Sequence, residues 1–329
     1  MVKGFGHVAG MHCETSALRD ILHFRGIDVS EPMIFGLGEG LNFIYWDMKV
    51  MDFAFTGGRN KPDMIWRNFA ANTCVKFEEF KTASAKKGWA YLKDKLDSGE
   101  PVMLRLDAYY LDYFDIPIHF PAHYAVAAGY DDESIWLGDT AYKELQKTSL
   151  NSLAEARGSK QSIGLGRPEH LCVTFPLADD GKAQRPDLRK NLRDVIKRNA
   201  DAMLNPPIKN VGVRGIEYAS KQIPNWIKRS GNPRKCLKVT AEIWEHGGTG
   251  GGLFRRIYAD FLFETGKLLN DNKIIGVGEE YASIAAEWTN IAGIIDKVGD
   301  TLDENLLAEA GARVGKLAER ERVALGKLL

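Results

Sequence analysis

The cysteine at position 13 opens the stretch His12-Cys13-Glu14-Thr15-Ser16-Ala17-Leu18-Arg19-Asp20-Ile21-Leu22. Ala17, Leu18, Ile21, Leu22 and Phe24 recur at three- and four-residue steps, which predicts a helix with one buried face, and Gly26 reads as its stop. Cys13 then falls in the first turn, over the positive end of the helix dipole. A thiolate is favoured there, and the thiolate is the nucleophilic form. The chemistry that suits such a sulfur is attack on an acyl group. A helical cysteine alone is more often inert packing, so the reading depends on partners further along the chain.

Those partners are expected between Phe120 and Thr140. Ala122–Tyr130 reads as a strand, Asp131–Ser134 as a polar turn and Ser134–Asp139 as the return strand. A hairpin brings its entry and exit together, so topology makes His123 and Asp139 neighbours. A carboxylate beside an imidazole fixes its tautomer and stabilises the imidazolium. With Cys13 across a cleft, the set would be nucleophile, base and orienter. His119, in the Tyr-, Asp- and Pro-rich loop Tyr109–Pro121, is a fallback base. His12, Cys13, His119 and His123 match no standard zinc spacing, and no metal or other cofactor is expected.

These residues need elements to hold them. Ser30-Glu31-Pro32 reads as a helix start with Ser as N-cap. The run Gly36-Leu37-Gly38-Glu39-Gly40 lacks the strand before and the helix after that a dinucleotide loop needs, and is expected to let the backbone pass near the site. Phe43–Trp46 and Met51–Phe55 read as aromatic runs, either strands or a packed hairpin, Asn60–Phe69 as a helix, Cys74–Phe80 as a short strand and Trp89–Leu96 as a helix. Pro101–Leu106 reads as a buried strand, Leu145–Arg157 as a helix and Glu169–Phe175 as a last strand. Pro176–Pro186 reads as a linker.

At 329 residues the chain is long for one core, and two domains are expected: 1–178, α+β, and 179–329, all-α. Helical patterns fill the second part from Asp187 to Leu328. His246-Gly247-Gly248-Thr249-Gly250-Gly251-Gly252 is its unusual stretch, a candidate cradle for a phosphate or else a loop or close helix crossing. Lys plus Arg and Asp plus Glu are each 44, so no global field recruits nucleic acid or an anionic membrane. Cys13, Cys74, Cys172 and Cys236 are widely spaced, which fits neither a disulfide framework nor a zinc finger. No apolar run spans a bilayer and no h-region opens the chain. A cytoplasmic protein with reduced thiols is expected.

A cysteine at a helix start near the beginning of the chain, followed by a His/Asp hairpin, resembles the papain-like fold, particularly its bacteriocin-processing branch. More closely, His12–Leu18 with Ser30–Gly38 resembles the N-terminal domain of the butirosin biosynthesis protein H family, over roughly the first 175 residues. That resemblance implies a cysteine-peptidase-like fold used for acyl transfer, from a carrier-protein or other thioester donor to a small-molecule amine, in antibiotic biosynthesis. It implies Cys13 as acyl acceptor, His123 as proton shuttle and Asp139 as orienter. Papain-like enzymes hold a Gln six residues before the nucleophile; His7 stands there instead. His7 either supplies an oxyanion donor or is structural, and His12 and Glu14 join it as candidates for oxyanion or substrate contacts. Hydrolysis of an amide by the same residues is the alternative activity, and a non-catalytic binding protein a third reading. Tyr45, Trp46, Asp47, Tyr109 and Tyr110 are candidates for acceptor contacts, and the helical half for a homodimer surface.

Overall fold

The structure is a computed structural model that describes residues 1–47, 53–116, 118–162 and 164–329. In chain order the elements begin with α1 (Cys13–Phe24), α2 (Glu31–Leu37), β1 (Leu41–Trp46), β2 (Phe55–Arg59), α3 (Met64–Thr73) and β3 (Glu78–Phe80). Next come α4 (Ala85–Asp97), β4 (Val102–Leu106), β5 (His123–Tyr130), β6 (Ser134–Gly138), β7 (Gln146–Ser149), α5 (Leu150–Gly158) and β8 (Cys172–Thr174). Helices alone follow: α6 (Leu192–Leu204), α7 (Gly212–Gln222), α8 (Trp226–Arg229), α9 (Pro233–Glu245), α10 (Arg255–Leu269), α11 (Asn272–Thr301) and α12 (Glu304–Gly326). The chain is thus α+β, with a helical C-terminal region.

The chain forms two compact units: Met1–Ile34 with Lys61–Asp187, and Phe35–Asn60 with Leu188–Leu329. The first is built on an antiparallel sheet in the order β3-β8-β4-β5-β6-β7. Val102, Leu104, Leu106, Ala125 and Ala127 form a core with Leu92 and Leu96 of α4 and Leu153 and Ala156 of α5. Helix α1 packs against β4 and β5. Cover by helices is why β5 reads as a near-continuous apolar run rather than an alternating one. Two local expectations change. Residues 146–149, expected to begin a helix, are an edge strand opposite Ser134–Leu137, and the helix starts only at Leu150, where Ser149 caps it through Ser152 N. Cys74 is not in a strand but closes α3 in a left-handed conformation.

The second unit is not purely helical, because the β1–β2 hairpin belongs to it. Met51 and Asp52, expected in that hairpin, lie outside the described residues. Gly36 serves this unit rather than the site: a Cβ there would lie 2.1 Å from the Phe261 ring. Gly252 is similar. Its φ is +56°, and a Cβ would meet Ala285 O at 2.5 Å, so the glycine lets the loop before α10 cross α11 closely. Gly252→Ala is expected to cost about 2–3 kcal/mol, read as a lower urea midpoint. An unchanged midpoint would show that this crossing can relax.

Candidate functional site

The site lies in the first unit. Cys13 is the first residue of α1, and His12 is the N-cap with no side-chain cap bond of its own. The approach to the helix is fixed by Glu31 at the start of α2. Its carboxylate accepts from Met11 N at 3.1 Å, His12 N at 3.2 Å and Thr15 Oγ1 at 2.8 Å, and takes Arg19 Nη1 at 2.7 Å. Ser30 caps α2 through Met33 N at 3.1 Å. Gly10 leaves room for this hub, since a Cβ there would stand 2.5 Å from Glu31 Oε1.

His123 opens β5 and Asp139 follows β6. The register pairs Val126 with Gly138, so Asp139 faces Ala125, a two-residue diagonal from His123 that an imidazole and a carboxylate can span. His123 Nε2 lies 2.6 Å from Asp139 Oδ2. A carboxylate accepts only, so Nε2 carries a proton and Nδ1 is the ring atom left for exchange with sulfur. Cys13 Sγ has His123 as a hydrogen-bonding neighbour, lies 4.0 Å from His12 Nδ1 and 3.9 Å from Ala122 O. The sulfur thus sits between two imidazoles.

Burial alone would raise the Cys13 thiol. The positive charge and hydrogen bonding of His12, then of His123, outweigh it and hold the thiol well below its ordinary value. Burial would lower His123, but the Asp139 carboxylate beside it, then Cys13, push it up to about 10. The arrangement favours a thiolate–imidazolium pair. Residue exposures are 6% for Cys13, 7% for His123 and 0% for Asp139. The pair is shielded but not sealed.

Two side chains that sequence reasoning passed over complete the surroundings. Tyr113 donates to the same Asp139 Oδ2 at 2.8 Å, while Oδ1 meets no donor among the described residues. Phe114 stands edge-on to His123, with ring centroids 5.2 Å apart, and covers the imidazole. Burial and Asp139 keep the Tyr113 proton in place. Nothing in a loop rich in Tyr and Asp distinguishes these two positions from their neighbours by type or spacing.

His7 and Glu14 are engaged in contacts that hold the fold. His7 Nδ1 lies 2.6 Å from Asp20 Oδ2, and Nε2 lies 3.1 Å from Asp139 O and 3.0 Å from Tyr142 O. All are acceptors, so both ring N–H groups are spent and none remains for an oxyanion. His7 pins the backbone of Asp139 instead. Gly138 makes space for it, as a Cβ there would come within 2.8 Å of Nδ1. Burial opposes the charge on this ring, but Asp20 and the two carbonyls prevail and raise it. Glu14 is fully buried and caps α3 from outside, accepting from Ile65 N at 3.1 Å and Trp66 N at 3.3 Å.

Other candidates fall elsewhere. His119 pairs with Asp107 at 2.8 Å, not with Cys13. Tyr45 is buried in the second unit, its phenol oxygen accepting from Trp226 Nε1 at 3.2 Å, and Asp47 pairs with Arg229. The glycine-rich loop spends its amides internally: Gly252 N donates to Glu245 Oε2 at 3.0 Å, Gly251 N to Thr249 Oγ1 at 3.2 Å, and Leu253 N to Trp244 O at 2.9 Å. The Glu245 carboxylate stands where an anion would need to sit, so the loop reads as a helix crossing and not a phosphate cradle. No group of three or more His, Cys, Asp or Glu converges as a metal site, and no helix is long and apolar enough to cross a membrane, among the described residues.

Compared with known families, residues 12–140 match the model described as butirosin biosynthesis protein H, N-terminal. Residues 151–328 match a domain of unknown function (DUF4872). That second match begins in α5, which packs within the first unit. No curated relative matches the chain.

Proposed function

We propose, from the premise that this chain belongs through its N-terminal domain to the butirosin biosynthesis protein H family of antibiotic biosynthesis, that it is an acyltransferase with a Cys13 acyl-thioester intermediate. The first unit is then a papain-like catalytic domain, with the nucleophile on a helix and its partners on the facing sheet. The observation that carries the reading is one buried arrangement: Cys13 heading α1, His123 beside its sulfur, and Asp139 Oδ2 at 2.6 Å from His123 Nε2.

In the first half-reaction the Cys13 thiolate attacks the carbonyl of a thioester donor, on a carrier protein or a coenzyme. A C–S bond forms, the donor's C–S bond breaks, and the imidazolium gives its proton to the departing thiolate. In the second, an amine attacks the new thioester, an amide forms and Cys13 leaves as thiolate. Developing negative charge on the carbonyl oxygen would meet the Cys13 backbone N–H, one of the unpaired amides of the first turn. His12 is the nearer candidate for a second donor now that His7 is committed. The chemistry belongs in the cytoplasm, where thiols stay reduced.

Intact-mass analysis after incubation with acyl-N-acetylcysteamine thioesters tests this. The expected product is a single acyl adduct on the Cys13 peptide, absent from Cys13→Ala. No adduct, or one that survives in Cys13→Ala, removes the acyl-enzyme. An adduct discharged by water but by no amine reassigns the protein as a hydrolase.

A further inference from the structure

Another histidine–carboxylate pair stands at the same end of the sheet as His123 and Asp139. Asp107 directly follows Leu106, and Leu106 is the register partner of His123. Asp107 Oδ2 accepts from His119 Nδ1 at 2.8 Å and from Ser159 Oγ at 2.7 Å, and Oδ1 accepts the amides of Tyr109 at 3.3 Å and Phe120 at 2.8 Å. Four donors thus converge on one buried carboxylate. They also fix the His119 tautomer: Nδ1 holds the proton and Nε2 keeps its lone pair. Nε2 has no partner among the described residues, and the side chain is 28% exposed. Tyr109 lies against the ring at 4.1 Å between centroids and is itself 46% exposed. A base with a fixed lone pair, in a part-exposed side chain, thus stands beside an exposed phenol ring.

Proton balance gives it a task, which rests on the acyl-enzyme reading above. After acylation His123 is neutral, having given its proton to the departing thiol. Transfer to a primary ammonium then releases two protons: Cys13–S–CO–R plus R′–NH3+ gives R–CO–NH–R′, Cys13–S− and two H+. His123 can take one, restoring the imidazolium. The other must leave before the nitrogen has a lone pair to attack with. We propose that His119 Nε2 accepts this first proton, so that His119, Asp107 and Tyr109 form the subsite for a primary alkylammonium acceptor. The ammonium would rest against the phenol face and lose its proton to Nε2, which returns it to solvent.

The test separates the two half-reactions. Wild type and His119→Gln are loaded from the same acyl-N-acetylcysteamine thioester, and discharge of the adduct is timed with ethanolamine, with hydroxylamine and with water alone. Ethanolamine is protonated at neutral pH; hydroxylamine is not and needs no such base. The expected result is wild-type loading in His119→Gln, about a 10²-fold slower discharge by ethanolamine, and discharge by hydroxylamine within about twofold of wild type. Unchanged ethanolamine discharge in the variant overturns the proposal. So does a parallel fall with both amines, or a loss of loading, since either makes His119 structural or assigns it to the Cys13 step. Wild type that loads but is discharged by ethanolamine no faster than by water also overturns it. Wild type that never loads instead fails the acyl-enzyme reading itself.

Discussion

His123→Ala is expected to lower acyl transfer by about 10³- to 10⁴-fold and to move the alkylation profile of Cys13 to higher pH. The two effects share a cause. In the wild type the thiol is held down by His12 and by His123, so iodoacetamide reactivity rises as pH climbs through a depressed thiol value and then stays level. The imidazolium that donates to the leaving group persists until pH passes about 10, where His123 gives up its proton. Without His123, burial of the sulfur is opposed by His12 alone, and the thiolate forms only at higher pH. At neutral pH the variant should therefore be alkylated more slowly, while wild-type Cys13 should react faster than the buried Cys172, whose thiol burial pushes up. A variant with the wild-type profile would mean that His123 does not sense the sulfur.

The largest expected stability effect lies in the second unit. Arg255 and Glu321 are both 0% exposed and bond at 2.9 and 3.1 Å. Arg255 Nη1 also donates to Leu253 O at 2.9 Å and Asn42 O at 3.1 Å, and Trp288 Nε1 donates to Glu321 at 3.1 Å. Arg255→Met strands a buried carboxylate and three carbonyls, of Asn42, Gly58 and Leu253, and should cost about 3–5 kcal/mol, measured by urea or thermal unfolding. Glu321→Gln keeps an oxygen for Arg255 Nε and Trp288 Nε1 but sets an amide NH2 against Arg255 Nη2, and with its volume unchanged should cost less than Arg255→Met. Equal losses in the two variants would show that the unpaired charge each leaves behind, not packing volume, sets the penalty.

Local rules carried much of the fold. The 3.6-residue stripe of α1, the Ser30 cap and the Asp131–Ser134 turn depend on residues a few positions apart, and the chain states them directly. The neighbourhood of residues 123 and 139 follows from the hairpin topology alone; the role of that pair is a proposal. What stayed illegible depends on distant partners. Gly36 is glycine because of a phenylalanine at position 261, and His7 is histidine because of Asp20 and two carbonyls near position 140. Glu14 looks like a site acid from its place beside Cys13, yet it faces away and ends up on the first amides of α3. Gln146–Ser149 shows no apolar alternation, because an edge strand can pair through its backbone with little help from side chains.

The hairpin of Leu41–Arg59 has a consequence for biosynthesis. Its partners are Asn199, Asn210, Trp226 and Trp244, which bond to Leu41 O, Tyr45 and Thr56. A two-stranded ribbon is marginal alone. On the ribosome it emerges well over a hundred residues ahead of the helices that complete it, so Phe43 and Tyr45 wait unprotected while the sheet around β5 can already close. Fragments that stop near residue 178 would retain that orphan ribbon permanently, and engineering an autonomous first unit requires excising 35–60 and rejoining Ile34 to Lys61.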